Sequence, residues 1–324
     1  MAFALLRRIV TGLAIVLGVV ALTFVLLQLA PGDPVLRLLG PTATAEQIAA
    51  QRTALGLDRP LPVQFGGWLA RFVTGDWGTS IAVGRPVVEL IGEAWPATVL
   101  LVGTSLTLSY VLGIAIGAFQ AARSGSGTDT AVSIATVTLF AMPGYWLALM
   151  LVMLFTYRFG ALPAFGAAGL DADFLSGWDR ILDRLRHLAL PLATLTLLGL
   201  AGTARYVRGA MLDVKGEQHV TTAFAKGLGA RTVLRRHVLR NALVPVVTLL
   251  GLSLPALFSG AVFVEAVFAW PGVGGVLVGA VQARDYPVIL AATAVSAILV
   301  VAGNALADLL VAWVDPRARH PAAL

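Results

Sequence analysis

Four histidines, His187, His219, His237 and His320, are the only imidazoles among 324 residues, with no His-x-x-x-His pair or acid-rich cluster of metal-site type. Each is expected on a surface or in a loop, and no metal is expected. The absence of cysteine removes thiolate nucleophiles, disulfides, zinc ribbons and iron–sulfur clusters together. No Gly-x-x-x-x-Gly-Lys-Ser/Thr stretch is present to cradle a nucleoside triphosphate. Ionisable groups inside apolar stretches are functional candidates by default. Glu265 and Asp308 qualify, with Asn304 one turn before Asp308. All sit near the ends of apolar runs, which favours hydrogen bonding between helices over a proton relay. A catalytic site is therefore not expected.

The elements that carry these residues are set by composition. The chain is 58% hydrophobic and 12% charged, against roughly 45–50% and 25% in a soluble domain. Crossing a bilayer takes about 20 apolar residues, and stretches without Asp, Glu, Lys or Arg recur along the chain. They run from Val10 to Ala30, Ala94 to Ala122, Thr130 to Tyr157, Leu188 to Ala204, Asn241 to Val264 and Tyr286 to Ala307, the last continuing past Asp308 to Val314. The expected fold class is an all-α polytopic membrane protein with six transmembrane helices. Val10 to Ala30 is longer than the 7–15 residues of a signal core and lacks a small-residue cleavage pattern, so it reads as a retained first span.

Alternating six spans from a cytoplasmic N-terminus leaves a net charge of +8 on the cytoplasmic side and −2 outside. Arg205, Arg208, Lys215, Lys226, Arg231, Arg235, Arg236 and Arg240 crowd one loop, which the positive-inside rule places in the cytoplasm. The overall +6 is thus a topology signal, with no nucleic acid implied. The expected divisions are 1–30 (N-terminal end and first span), 31–93 (extracytoplasmic helical segment), 94–314 (core, with the basic loop 205–240) and 315–324 (cytoplasmic tail).

Within 31–93, Thr44 with Gln47 fits a capping box and Gly56 a stop. Pro62 and Gly75 bracket a second helix carrying Phe65, Trp68, Leu69 and Phe72. Two small helices resting on the outer membrane surface are expected. Arg158 to His187 reads as a solvated loop of mixed charge, and Arg123 to Asp129 as a short turn. Ala266 to Ala283 is uncharged, but Pro271 and Gly272, Gly274, Gly275 and Gly279 predict a re-entrant or surface turn in place of a seventh span.

In the basic loop, Glu217 suits the positive end of a helix dipole, Lys226 the negative end, and Gly227 a left-handed terminator. A short helix is expected, with Ala223, Ala225 and Gly227 small enough for close approach. A helix lying on acidic lipid and one docking a protein partner fit this pattern equally.

Thr222-Ala223-Phe224-Ala225-Lys226-Gly227-Leu228, followed by Arg236-His237-Val238-Leu239-Arg240-Asn241-Ala242-Leu243-Val244-Pro245, resembles the "EAA" loop of ABC importer permeases in its peptide-transporter form. Further likeness lies in Leu29-Ala30-Pro31-Gly32-Asp33-Pro34, Gly75-Asp76-Trp77-Gly78-Thr79-Ser80, Phe268-Ala269-Trp270-Pro271-Gly272-Val273-Gly274, Ala283-Arg284-Asp285-Tyr286-Pro287 and Asp315-Pro316-Arg317. Together these resemble the B-type subunit of the dipeptide and oligopeptide (and nickel/glutathione) permease family.

The resemblance implies a type I ABC importer permease: a membrane subunit that moves peptides or similar small solutes by alternating access. ATP and Mg2+ would sit on partner P-loop ATPases, two subunits or one as a homodimer. The other implied partners are a second homologous permease, an extracytoplasmic solute-binding protein and membrane lipid. It assigns ATPase coupling to Glu217, Thr222, Ala223, Phe224, Lys226, Gly227 and Leu228, and binding-protein docking or an outer gate to Trp270, Pro271, Gly272, Val273 and Gly274. The chain departs from the family at Phe224, where an arginine is usual, and at Thr221, where the wider loop carries glutamate. An ion-gradient-driven secondary transporter is the alternative, but it would need more intramembrane ionisable groups than Glu265 and Asp308.

Overall fold

A computed structural model describes residues 2–29, 34–40, 42–54 and 56–314. The expected tail at 315–324 and the motifs at 30–33 and 315–317 lie outside them, as does the Asp308 side chain. Among the described residues, thirteen α-helices follow one another: α1 (Ala2–Leu29), α2 (Pro34–Leu39), α3 (Ala45–Ala54), α4 (Leu61–Val73), α5 (Val87–Ala122), α6 (Gly127–Ala141), α7 (Gly144–Leu151), α8 (Gly177–Lys215), α9 (Gln218–Ala225), α10 (Ala230–Val233), α11 (Arg240–Val267), α12 (Val273–Ala283) and α13 (Tyr286–Val314). Two π-helical turns, Val152–Arg158 and Leu234–Leu239, extend α7 and join α10 to α11.

Among the described residues, α1, α5, α8 and α13 each contain a stretch long and apolar enough to cross a membrane. The 28-residue α11 covers the expected span from Asn241 to Val264. The remaining span, expected as one run from Thr130 to Tyr157, is broken: α6 and the helix Gly144–Arg158 meet at 107°. The cause is Pro143, whose ring fixes its own φ and disfavours helical backbone at the residue before it, so Met142 adopts φ −74, ψ 134. Counting charges could not reveal that bend.

Contacts divide the chain into two compact units. One comprises Met1–Thr98 with Pro271–Val301, the other Val99–Trp270 with Ala302–Leu324.

In the first unit, the Thr44 and Gln47 capping box forms reciprocally, with Thr44 N–H to Gln47 Oε1 at 2.9 Å and Gln47 N–H to Thr44 Oγ1 at 3.3 Å. Gly56 and Gly75 take left-handed φ of +67 and +90 where the helices stop. The apolar face of α4 does not simply rest on a membrane surface as expected. Trp68 packs with Val20 and Phe24 of α1 and Leu290 and Ala294 of α13. An aromatic series runs from Phe24 through Phe65, Trp68 and Phe72 to Trp77, with centroids 5.1–6.4 Å apart. Such pairs add roughly 0.5–1.5 kcal/mol each beyond area burial. Gly274, Gly275 and Gly279, expected to break helical structure, lie inside α12. At 11 residues, about 16 Å, α12 is too short for a hydrocarbon core of roughly 30 Å.

In the second unit, α5 and α8 approach closely through glycine. A Cβ built on Gly117 would lie 2.5 Å from the Ala204 carbonyl oxygen, and one on Gly113 2.6 Å from Thr203 Cβ. Ser109 Oγ donates to the Thr196 carbonyl at 3.0 Å nearby. The 39-residue α8, about 58 Å long, absorbs Asp179 to His187, which were expected in a loop. His187, expected on a surface, is 9% exposed, with Nδ1 2.8 Å from the Asp183 carbonyl oxygen and 3.3 Å from its carboxylate.

A clamped helix as candidate docking site

The helix expected in the basic loop forms as α9. Glu217 precedes it, Lys226 caps its end, and Gly227 leaves it with φ +78. Its inner side is held by apolar packing. Val220 and Ala223 are 2% and 4% exposed and join a core with Ala121 of α5, Val207 and Met211 of α8, and Val246 of α11. Ala223, expected to face a partner, is therefore occupied within the chain, while Val220, the other inward anchor, carries no signal outside the i, i+3 spacing. Glu217, Thr222, Phe224, Lys226, Gly227 and Leu228 are exposed, Phe224 at 51% and Leu228 at 38%.

Polar bonds fix the rim of this core. The Asn241 side-chain amide donates to His219 Nε2 at 3.0 Å and to the His237 carbonyl at 2.8 Å. His219 Nδ1 lies 3.0 Å from the Glu217 carboxylate. Asn241 thus ties α9 to the π-helical turn Leu234–Leu239, a local widening of the helix that often marks functional sites. Lys215 donates from Nζ to the Ala121 carbonyl, linking the ends of α8 and α5. Burial holds this ammonium below its ordinary pKa.

A second anchor lies beside this core. Asp129, in the first turn of α6, is 3% exposed and receives Arg208 Nε and Nη2, both at 2.8 Å. The Gly125 N–H donates to the same carboxylate at 3.1 Å, and Ser126 Oγ accepts from the Asp129 N–H at 3.2 Å. Hydrogen bonding to Arg208 lowers the Asp129 pKa to about 2. Asp129 lies in a turn of the sequence outside any apolar run, so nothing in its surroundings there signals a buried carboxylate. Asp285 stands in one of the motifs of the family resemblance, but its spacing does not disclose that it is 1% exposed and accepts from Ser80 Oγ and from the Ala82 N–H at 3.1 Å.

The candidates between α11 and α12 divide differently. Trp270, Gly272, Val273 and Gly274 are buried, and Pro271 alone is exposed. The Trp270 N–H donates to the Glu265 carbonyl at 2.8 Å, and the Val273 N–H to Thr98 Oγ1 at 2.9 Å. Glu265 itself is fully buried, and Asn304 is exposed. Among the described residues, no group of three or more His, Asp or Glu could hold a metal ion.

A many-spanned helical membrane protein with a basic loop helix clamped to its spans is the class that fold and site define. The chain belongs to the family described as binding-protein-dependent transport system inner membrane component, whose profile matches residues 113–320; the N-terminal profile of such membrane components matches 1–102. It is 40% identical over 321 residues to the oligopeptide transport system permease protein AppB of Bacillus subtilis, covering 99% of this chain and 100% of that one. It is 37% identical to the probable D,D-dipeptide transport system permease protein DdpB of Escherichia coli, covering 97% of each. The MetNI methionine ABC transporter, solved in inward-facing conformations, shares the fold with a TM-score of 0.53 at 18% identity, over 70% of this chain and 97% of that one.

Proposed function

We propose that this chain is one of two membrane subunits of a prokaryotic ABC importer for peptides or similar small solutes, and that α9 is where partner ATPases drive it. The observation that carries this reading is the two-sided character of α9. Val220 and Ala223 bury it against α5, α8 and α11, while Phe224 and Leu228 stand exposed beside Lys226. A push on the outer face is transmitted to three long helices because interiors are close-packed and deform little. The peptide-permease names of the two full-length relatives support the solute class.

In this mechanism the chain makes and breaks no covalent bond. ATP with Mg2+ closes two ATPase subunits, identical or distinct, and their closure favours one of two arrangements of the spans. ATP must bind the closed state more tightly than the open one for the equilibrium to move. A second, homologous permease completes the path, and a solute-binding protein delivers the solute outside. Residues 205–240 and both termini then face the cytoplasm, residues 31–93 face outward, and Pro271 is the exposed point of the turn that meets the binding protein or gates the path.

Purification from the native membrane in mild detergent tests this. P-loop ATPases and a second six-span chain are expected to co-purify, and a cysteine at Phe224 to crosslink to an ATPase. Ion-driven transport by the chain alone in liposomes, without ATP, would refute it.

A further inference from the structure

The first unit holds a cavity of about 670 Å³ between α1, α3, α4 and the start of α13. Its upper wall is polar. Arg59 and Arg71 line it, and neither forms an ion pair or side-chain hydrogen bond with another described residue. The one acid at the wall, Asp76, turns Oδ1 to the Gly78 N–H at 3.0 Å. Gln64 is used internally: its Nε2 donates to the Arg59 carbonyl at 2.7 Å and its Oε1 accepts from Gln28 at 3.3 Å. The two guanidinium groups are thus the cavity's cationic donors without a described partner, beside the buried Trp68 Nε1–H, which has none either.

The floor is apolar and lies deeper. Phe24 and Leu27 come from α1 and Leu290 from α13. Phe24 is five residues inside the end of α1 at Leu29, and Leu290 four inside the start of α13 at Tyr286, so the floor lies about 6–8 Å below those span ends. Leu22, Val25, Leu26 and Leu29, on the other side of α1, are exposed, as lipid-facing side chains are.

We infer that this cavity is a binding site for one anionic phospholipid, with the phosphate received by Arg59 and Arg71 and the upper acyl chain against Phe24, Leu27 and Leu290. A free anion would need the arginines but no apolar floor at hydrocarbon depth. A zwitterionic lipid carries the same phosphate but adds a choline cation, which two neighbouring guanidinium groups disfavour. An amphiphile with an anionic head uses both, and the cavity stands where the headgroup layer meets a lipid-facing helix.

The test uses the full chain with its native partners, reconstituted in vesicles of phosphatidylglycerol and phosphatidylcholine, returned to mild detergent and weighed by native mass spectrometry. Phosphatidylglycerol is expected to be retained over phosphatidylcholine. The double variant Arg59→Gln/Arg71→Gln is expected to lower that retention about 30-fold, the effect of two arginines near an anionic headgroup. Millimolar inorganic phosphate is expected to leave it unchanged. Equal retention of the two lipids, equal retention by an assembled variant, or displacement by phosphate overturns the proposal, the last by revealing a free-anion site. A second readout covers the case of a variant that does not assemble. In the otherwise unaltered chain, phosphatidylglycerol brominated on its acyl chains should quench tryptophan fluorescence more than the brominated phosphatidylcholine does. That excess should vanish in Trp68→Phe; an excess that persists, or none at all, counts against the site.

Discussion

Arg208 holds Asp129 through two parallel hydrogen bonds of 2.8 Å, joining the later part of α8 to the first turn of α6 across 79 residues of chain. Bidentate guanidinium–carboxylate pairs combine charge with fixed geometry. This one fixes α6 against α8 about two turns before α8 ends at Lys215, on the helix that leads to α9.

Breaking the pair is expected to lower thermal stability. Asp129→Asn and Arg208→Leu should each reduce the unfolding midpoint of the purified protein, and the double variant should fall by less than the sum, since both remove one interaction. The pair also predicts an acid dependence. Asp129 titrates at about 2 in the fold against 3.8 ordinarily, so its contribution is complete above about pH 4 and disappears as pH falls toward 2. The measurement is the midpoint at pH 7, 4 and 2.5. Wild type should lose more than Asp129→Asn over the lower interval; parallel curves would show that Asp129 contributes nothing there.

The approach of α5 to α8 makes a steric prediction. Gly117→Ala places a methyl 2.5 Å from the Ala204 carbonyl oxygen, a backbone atom that cannot rotate away. Overpacking of this kind destabilises by roughly 1–3 kcal/mol. Gly103, in the same helix, has nothing within 4 Å of a built Cβ. Gly103→Ala should be neutral or stabilise by about 0.5–1 kcal/mol. Denaturation of both variants in detergent checks the contrast.

Ser80 and Asp285 bring together two of the motifs that carry the family resemblance, the Gly75–Ser80 and Ala283–Pro287 stretches. Ser80→Ala leaves the buried carboxylate one donor fewer, and a hydrogen bond to a charged group is worth roughly 1.5–3 kcal/mol. The variant is expected to unfold correspondingly earlier, and Ser80→Thr, which keeps a hydroxyl, to recover part of the loss.

What the sequence disclosed followed from local rules. The spans came from uncharged runs, the Thr44–Gln47 box and the Gly227 stop from capping chemistry, and α9 from charges placed against its dipole. What it hid depends on tertiary pairing or on a residue that charge counting ignores. Pro143 bends a run that looks continuous, and the buried Asp129 and Asp285 carboxylates are met by partners distant in sequence, Arg208 and Ser80. Gly113 and Gly117, four apart as in close-packed membrane helices, were a readable signal of the α5–α8 approach. The inward side of α9 was less legible, because Ala223 is small enough for either face and only packing against Ala121, Met211 and Val246 decides it.

That division on α9 gives a functional prediction with an internal control. Phe224 is 51% exposed, so Phe224→Ala removes little packing within the chain and should leave its thermal midpoint within experimental error. It should nevertheless weaken assembly with the ATPase and reduce solute-stimulated hydrolysis, because Phe224 is the large apolar side chain on the face of α9 proposed to dock. Val220→Ala is the converse. Val220 is 2% exposed, and losing two buried methyl groups costs about 2 kcal/mol with its cavity. That variant should unfold earlier while keeping its exposed docking face, so hydrolysis at a temperature where it remains folded should fall less than in Phe224→Ala. Pull-down of the ATPase, hydrolysis with and without solute, and thermal denaturation on the same preparations separate the two effects. If Phe224→Ala leaves assembly and stimulation unchanged, the outer face of α9 does not dock through Phe224.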